Sequence, residues 1–181
     1  MKTPHEILSK VQAASVLVID DNPFMRTLIR GILSHIGVKA IHDAADGITG
    51  LELVRTLAPT LVLVDWEMPM LTGAEFVRTV RSPATFPLPD VPIIMVTGHG
   101  ERWRVLQALQ LGVNEFLVKP VSANSMLERM VSIVANPRPI VQLGSYYGPQ
   151  PRRGFEDLVK SPPVLSVPDP AQSPAAAMAT S

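Results

Sequence analysis

Four short predicted strands of this 181-residue chain each end at a polar residue of a different kind. VLVI is followed by Asp20 and Asp21, LVLV by Asp65, IIMV by Thr97 and EFLV by Lys119. Continuous Val/Ile/Leu runs mark strands buried on both faces of a parallel sheet, whose carboxyl ends share one edge and flank the ligands of open α/β folds. Three carboxylates, a hydroxyl and an ammonium would then face one another, a set suited to a divalent cation and a phosphoryl group. A hard cation such as Mg²⁺ takes oxygen ligands and keeps several waters, so Asp20, Asp21 and Asp65 with one backbone carbonyl are a sufficient set. Carboxylates this close raise one another's pKa values, which a metal and Lys119 would both relieve. A strand-end aspartate can also simply cap the next helix. Asp65, in the middle of the set, is the best placed phosphoryl acceptor. Lys119 would pair with one phosphoryl oxygen and the Thr97 hydroxyl would donate to another.

The elements that must position these groups follow from the apolar period, which alternates between strand and helix. Strands are predicted at Val16 to Ile19, Val38 to His42, Leu61 to Val64, Ile93 to Val96 and Phe116 to Val118. Helices are predicted at Pro23 to His35, Gly47 to Leu57, Gly73 to Arg81, Arg102 to Leu111 and Ser122 to Val134. Asn22 and Pro23 fit a cap followed by proline at the first helical position, and Gly37 ends that helix. Five βα units with right-handed crossovers make a doubly wound parallel sheet of the α/β class.

Three segments lie outside the alternation. Residues 1–14 form an N-terminal extension in which Thr3, Pro4 and Glu6 make a capping box before a short helix. The four prolines of Ser82 to Pro92 exclude helix and read as a lengthened surface connection. Residues 136–181 are proline-rich and read as a largely disordered tail, so the folded domain is expected to span 15–135.

Composition removes several function classes. Sixteen acidic and sixteen basic residues cancel, so no broad field favours nucleic acid or an anionic membrane. With no cysteine there is no disulfide, thiolate catalysis or cysteine metal site. The start lacks the apolar stretch of a signal peptide, and no run approaches the roughly 20 apolar residues of a membrane span, so a cytoplasmic protein is expected.

From about Ser15 to Ala135 the chain resembles the receiver domain of bacterial two-component response regulators. The likeness is carried by Asp20-Asp21, by Asp65-Trp66-Glu67-Met68-Pro69 followed by Gly73, by Thr97-Gly98 and by Lys119-Pro120. It implies a flavodoxin-like (βα)5 fold of strand order 2-1-3-4-5, which spacing alone does not yield. It also implies that Asp65 accepts phosphate from a phosphohistidine on a cognate histidine kinase or histidine phosphotransfer protein. Asp21 and Asp65 would bind Mg²⁺, with Asp20 acting mainly through water and the Glu67 backbone carbonyl completing the site. The peptide before Pro120 would be cis. Thr97 and Phe116 would form the switch that alters the face of the last two helices for a downstream protein target. Phe116 has no hydroxyl, so a readout through a tyrosine hydrogen bond is not available here. Glu67 and His99, two residues beyond Asp65 and Thr97, would flank the path of the hydrolytic water and tune phosphoryl lifetime. Trp66, next to Asp65, should report metal binding by fluorescence, while His5, His35 and His42 lack the helical setting of a phosphohistidine.

The tail shows no pattern of an effector domain, so a stand-alone receiver without external enzymatic turnover is expected. Within it, Ser145-Tyr146-Tyr147-Gly148-Pro149-Gln150-Pro151-Arg152-Arg153 resembles an aromatic-Gly-Pro-x-Arg-Arg docking arm found in some bacterial stand-alone receivers, although the spacing is short. Two other functions remain open at the level of sequence. One is a Mg²⁺-dependent phosphohydrolase of the haloacid dehalogenase type, in which Glu67 would stand where that family places an acid/base aspartate. The other is an interaction module that keeps the fold without phosphorylation.

Overall fold

Successive side chains of a strand point to opposite faces, so runs as apolar as Leu61 to Val64 need cover on both sides. A computed structural model describes residues 3–98, 100 and 102–154 and shows how that cover is supplied. The elements are α1 (Pro4–Gln12), β1 (Ser15–Ile19), α2 (Pro23–Ile36), β2 (Ala40–Ala44), α3 (Gly47–Leu57), β3 (Leu61–Asp65), α4 (Gly73–Val80), β4 (Ile93–Thr97), α5 (Arg102–Leu111), β5 (Glu115–Val118), α6 (Ala123–Ala135), β6 (Ile140–Leu143) and β7 (Tyr146–Pro149). Strands β1 to β5 form one parallel sheet in the order β2-β1-β3-β4-β5, as the resemblance implies. Leu17, Ile19, Val62, Val64, Ile93 and Met95 pack under α3, α4 and α5. Val16, Val18, Leu61, Leu63, Ile94 and Val96 pack under α1, α2 and α6 on the opposite face. No helix among the described residues is long and apolar enough to cross a membrane.

Local chemistry explains the helix ends. Asn22 accepts from the Phe24 N–H at 2.9 Å, and Pro23 follows at the first helical position of α2. Thr3 and Glu6 form the reciprocal capping box that starts α1, and the fully buried Val11 ties this extra helix to the α2 and α6 layer. Gly37 closes α2 in the left-handed conformation at φ 102°. The following Val38 N–H donates to the Leu33 carbonyl at 3.0 Å, so Val38 completes the helix end rather than starting the strand. Pairing therefore begins at Ala40, two residues later than the apolar pattern predicts.

Two expectations are corrected by contacts between residues distant in sequence. The segment from Ser82 to Pro92 is more than a surface connection, because Phe86 and Val91 are buried and Arg81 beside them is only 5% exposed. Arg81 donates to the carbonyls of Gly112 at 2.9 Å, Pro89 at 2.5 Å and Val91 at 2.8 Å, and to the Asn114 side chain at 3.1 Å. Burial pushes its pKa down to about 10, with Tyr146, Asp90 and Tyr147 opposing the fall.

The ordered chain also continues past residue 135. Strands β6 and β7 pair antiparallel into a hairpin. Arg138 donates to the Asn114 carbonyl at 2.5 Å, Tyr147 to Asp90 at 2.5 Å and the buried Tyr146 hydroxyl to the Pro149 carbonyl at 2.6 Å. Gly148 passes so close to Gly112 that a Cβ on Gly148 would lie 2.8 Å from the Gly112 Cα, which only a pair of glycines allows. The aromatic-Gly-Pro segment is thus half of a hairpin seated on the domain itself. The remaining tail, from residue 155, lies outside the described residues.

Replacing Arg81 by methionine leaves these carbonyls without their donor. Urea denaturation of Arg81→Met should show a loss of about 2–4 kcal/mol of unfolding free energy, and an unchanged midpoint would refute the structural role given to Arg81.

Candidate functional site

Parallel pairing brings the four strand ends to one edge. Asp20 follows β1, Asp65 ends β3 opposite Val96, Thr97 ends β4 opposite Val118, and Lys119 follows β5. Carboxylate oxygens of Asp20, Asp21 and Asp65 lie within 4.8 Å of one another. The Lys119 ammonium sits 2.8 Å from Asp65 Oδ1 and 3.2 Å from Asp20 Oδ2. Asp20 and Asp65 are 1% and 5% exposed and Thr97 is fully buried, while Asp21 faces solvent.

Each acidic group is held by its own backbone setting. Asp20 Oδ1 accepts from the Asn22 N–H at 2.8 Å, so one oxygen is fixed by the turn and the other faces Lys119. Arg26, on the first turn of α2, donates to the Asp20 carbonyl at 2.7 Å and the Asp21 carbonyl at 3.2 Å. It also pairs with Asp43 of β2 at 3.5 Å. The chain leaving Asp65 is tied on both sides: the Trp66 N–H donates to the Val96 carbonyl at 2.8 Å, and the Gly73 N–H to the Trp66 carbonyl at 2.9 Å. Any Cβ at Gly73 would overlap the Asp65 carbonyl oxygen, so glycine is required there by close approach. A capping box between Thr72 and Glu75 starts α4 at the same point. The Lys119–Pro120 peptide bond is cis, and the Lys119 N–H donates to the Thr97 carbonyl at 2.7 Å.

Electrostatics follow from this geometry. Burial raises the Asp65 pKa above its ordinary value; Lys119 opposes the rise through its hydrogen bond and charge, and Asp20 and Asp21 add to it. Burial works to lower the Lys119 pKa, but the hydrogen bond to Asp65 and the charges of Asp65 and Asp20 outweigh it, leaving a net rise. The lysine therefore stays charged. The donor set fits a hard divalent cation: it is all oxygen, two of its carboxylates are buried, and one strained carboxylate would gain from added positive charge.

The other predicted residues fall around the rim. The Glu67 carboxylate is about half exposed and pairs with Arg104 of α5 at 3.2 Å. Arg104 in turn stacks on Trp66 and Trp103, with its guanidinium carbon 5.5 and 4.8 Å from the ring centroids. Phe116 is half-buried against the core under α5. His99 lies outside the described residues. His5 and His35 are exposed on α1 and α2, and His42 sits in β2 at the far edge of the sheet, so none joins the site. Sequence reasoning missed Arg26 and Arg104, whose partners no local pattern announces.

Comparison with known proteins bears on this arrangement. Residues 16–131 match the family model described as the response regulator receiver domain. The chain is 37% identical over 116 residues to the chemotaxis protein CheY1 of Helicobacter pylori, covering 64% of this chain and 92% of that protein. It is 33% identical over 118 residues to the chemotaxis protein CheY of Pseudomonas aeruginosa, covering 65% and 94%. Among solved structures, the signal receiver domain of NarL from Mycobacterium tuberculosis superposes with a TM-score of 0.60 at 30% identity, covering 69% of this chain and 98% of that one. Vibrio cholerae CheY4 does so with a TM-score of 0.57 at 28% identity, covering 64% and 94%.

Because the native fold raises the Asp65 pKa, an ionised Asp65 lowers stability at neutral pH, and that cost disappears as the pH falls through its folded-state pKa. Thermal melts of Asp65→Asn should show a midpoint at pH 7 roughly 2–4 °C above the parent, with the gap closing below pH about 4. A lower midpoint at pH 7 would contradict the electrostatic reading. Gly73→Ala should cost about 1–3 kcal/mol in urea denaturation, since the Asp65 carbonyl has to move to admit the methyl group.

Proposed function

The chain belongs to the response-regulator receiver family, and from that premise we propose that Asp65 accepts a phosphoryl group from a phosphohistidine on a partner histidine kinase or histidine phosphotransfer protein. The observation that carries this reading is the Lys119 ammonium 2.8 Å from a buried Asp65 carboxylate, beside two further aspartates at the open edge of the sheet. An Asp65 oxygen attacks phosphorus in line; the new P–O bond forms as the P–N bond breaks and its electron pair returns to the imidazole. Lys119 keeps its charge through the step and pairs with an oxygen of the transferred group. The buried Thr97 hydroxyl donates to another. Asp20, Asp21 and Asp65 with the Glu67 backbone carbonyl would hold Mg²⁺, which when bound supplies positive charge against the carboxylates and the phosphoryl oxygens.

The same residues give the module its output. Thr97 drawn toward a phosphoryl group frees space beneath α5, and Phe116, half-buried there, turns into it and changes the face formed by α5, β5 and α6 for a downstream protein in the cytoplasm. Glu67 and His99 set phosphoryl lifetime by controlling the approach of water to Asp65. Arg104 draws the Glu67 carboxylate toward α5. That pairing also speaks against the phosphohydrolase reading, which requires Glu67 as a free acid/base. The protein acts as a signalling module that turns over no external substrate for its own sake.

Intact mass after incubation with Mg²⁺ and acetyl phosphate tests the proposal. One added phosphoryl group should appear in the parent, and none in Asp65→Asn or without Mg²⁺. No adduct and no acetyl phosphate turnover would leave an interaction module, and rapid turnover without an adduct would restore the phosphohydrolase. Alanine at Glu67 should change the rate at which the adduct decays, and an unchanged rate would remove Glu67 from lifetime control.

A further inference from the structure

Glu67 and Arg104 meet beside the acidic edge of the sheet. Trp66 and Glu67 follow β3, Arg104 lies in the first turn of α5 after β4, and the pairing of these two strands brings the segments together. Arg104 Nη1 sits 3.2 Å from Glu67 Oε1. The two halves of this pair are held very differently. The arginine side chain is 17% exposed and stacks on the buried Trp66 and on Trp103, so the two indoles fix its position independently of the carboxylate. Its buried Nε has no hydrogen-bond acceptor among the described residues, so that atom does not anchor it. A cation in the first turn opposes the helix dipole, so α5 gains no stability from Arg104 at this position. The Glu67 side chain, in contrast, is 52% exposed, and both residues line an open recess of about 510 Å³ in which a carboxylate can move and water can enter. Arg104 is the fixed half of the pair and Glu67 the movable one.

We infer that Arg104 is a positioning residue that lengthens the life of phosphorylated Asp65 by holding the Glu67 carboxylate toward α5 and out of use as a base. This role presupposes Asp65 as the phosphoryl acceptor. In hydrolysis a water oxygen bonds to phosphorus, the bond from phosphorus to the Asp65 oxygen breaks with its electron pair returning to the carboxylate, and the water gives up a proton. A carboxylate two residues beyond Asp65 can take that proton once it is free to turn toward the site, and then pass it to solvent. Paired with Arg104 and drawn aside, it does not.

Decay of the phosphoryl adduct, followed by intact mass after acetyl phosphate is removed, tests this in the full-length protein. Arg104→Met keeps an apolar stem over the indoles without the charge. It should speed decay about three- to tenfold, the shift in population expected when an ion pair and its cation–π support are lost. Arg104→Lys should bring the rate back toward that of the parent. In a Glu67→Gln background, Arg104→Met should have no effect, because no carboxylate is left to release. If Arg104→Met does not unfold cooperatively in urea, Arg104→Gln takes its place. Unchanged or slower decay in Arg104→Met would overturn the role, as would an Arg104→Lys rate equal to that of Arg104→Met, since the charge would then be irrelevant. So would acceleration that survives Glu67→Gln, because Arg104 would then act through packing or water access alone. A parent protein that never forms the adduct would instead remove Asp65 as the acceptor, and this role with it.

Discussion

One ammonium group makes the acidic edge of the sheet possible. Two carboxylates buried to within a few per cent of full enclosure would repel each other and pay the desolvation of both charges, and Lys119 sits within 3.2 Å of each. The residual rise of the Asp65 pKa shows that this one cation does not fully offset burial and the two neighbouring aspartates. A site left short of positive charge is well matched to a divalent cation. The constraint propagates outward: Lys119 must leave β5 beside Thr97, Asp65 must end β3 opposite Val96, and the Asp20–Asp21 turn must be held by Asn22 and Arg26. Gly73 completes the frame by letting the start of α4 touch the Asp65 carbonyl.

A second cation organises the other end of the sheet, with the opposite outcome. Arg81 spends its donors on the carbonyls of Pro89, Val91 and Gly112 and on Asn114, whose side-chain oxygen also accepts from the Ile93 N–H at 2.9 Å. Those bonds gather the proline-rich connection and the amino ends of β4 and β5 at one place, and Gly112 beside them receives the β6–β7 hairpin. The acidic edge is left electrostatically unbalanced and open for chemistry. The Arg81 end is saturated with hydrogen bonds and serves to hold the chain.

Between these ends, legibility in the sequence follows the range of the interaction. The five parallel strands and their helices could be read because burial on both faces forces continuous apolar runs, and helix caps lie within three residues of the groups they satisfy. The Asn22–Pro23 start, the Thr3–Glu6 box and the Gly37 stop are of this kind. The start of β2 lies two residues later than the apolar pattern predicts because Val38, although apolar, is used to close α2. The hairpin has the composition of a disordered tail because its support comes from Asn114, Asp90 and Gly112, tens of residues earlier, and its prolines conceal the pairing. Arg104 is hidden in the sequence for the same reason: apart from its neighbour Trp103, its partners Glu67 and Trp66 lie in the loop after β3, almost forty residues earlier.

The sequence by itself determined the α/β class, the alternation of elements and the polar residues that terminate four of the strands, since these depend on local period and on which side chains tolerate burial. Only the tertiary structure decided that Lys119 bridges Asp65 and Asp20, that Arg81 anchors an apparently loose connection, and that the chain beyond Ala135 turns back as a hairpin onto the domain. Charge balance and hydrogen-bond satisfaction are settled by whichever groups the fold brings within about 3 Å, and that proximity is a property of packing rather than of neighbouring positions in the chain.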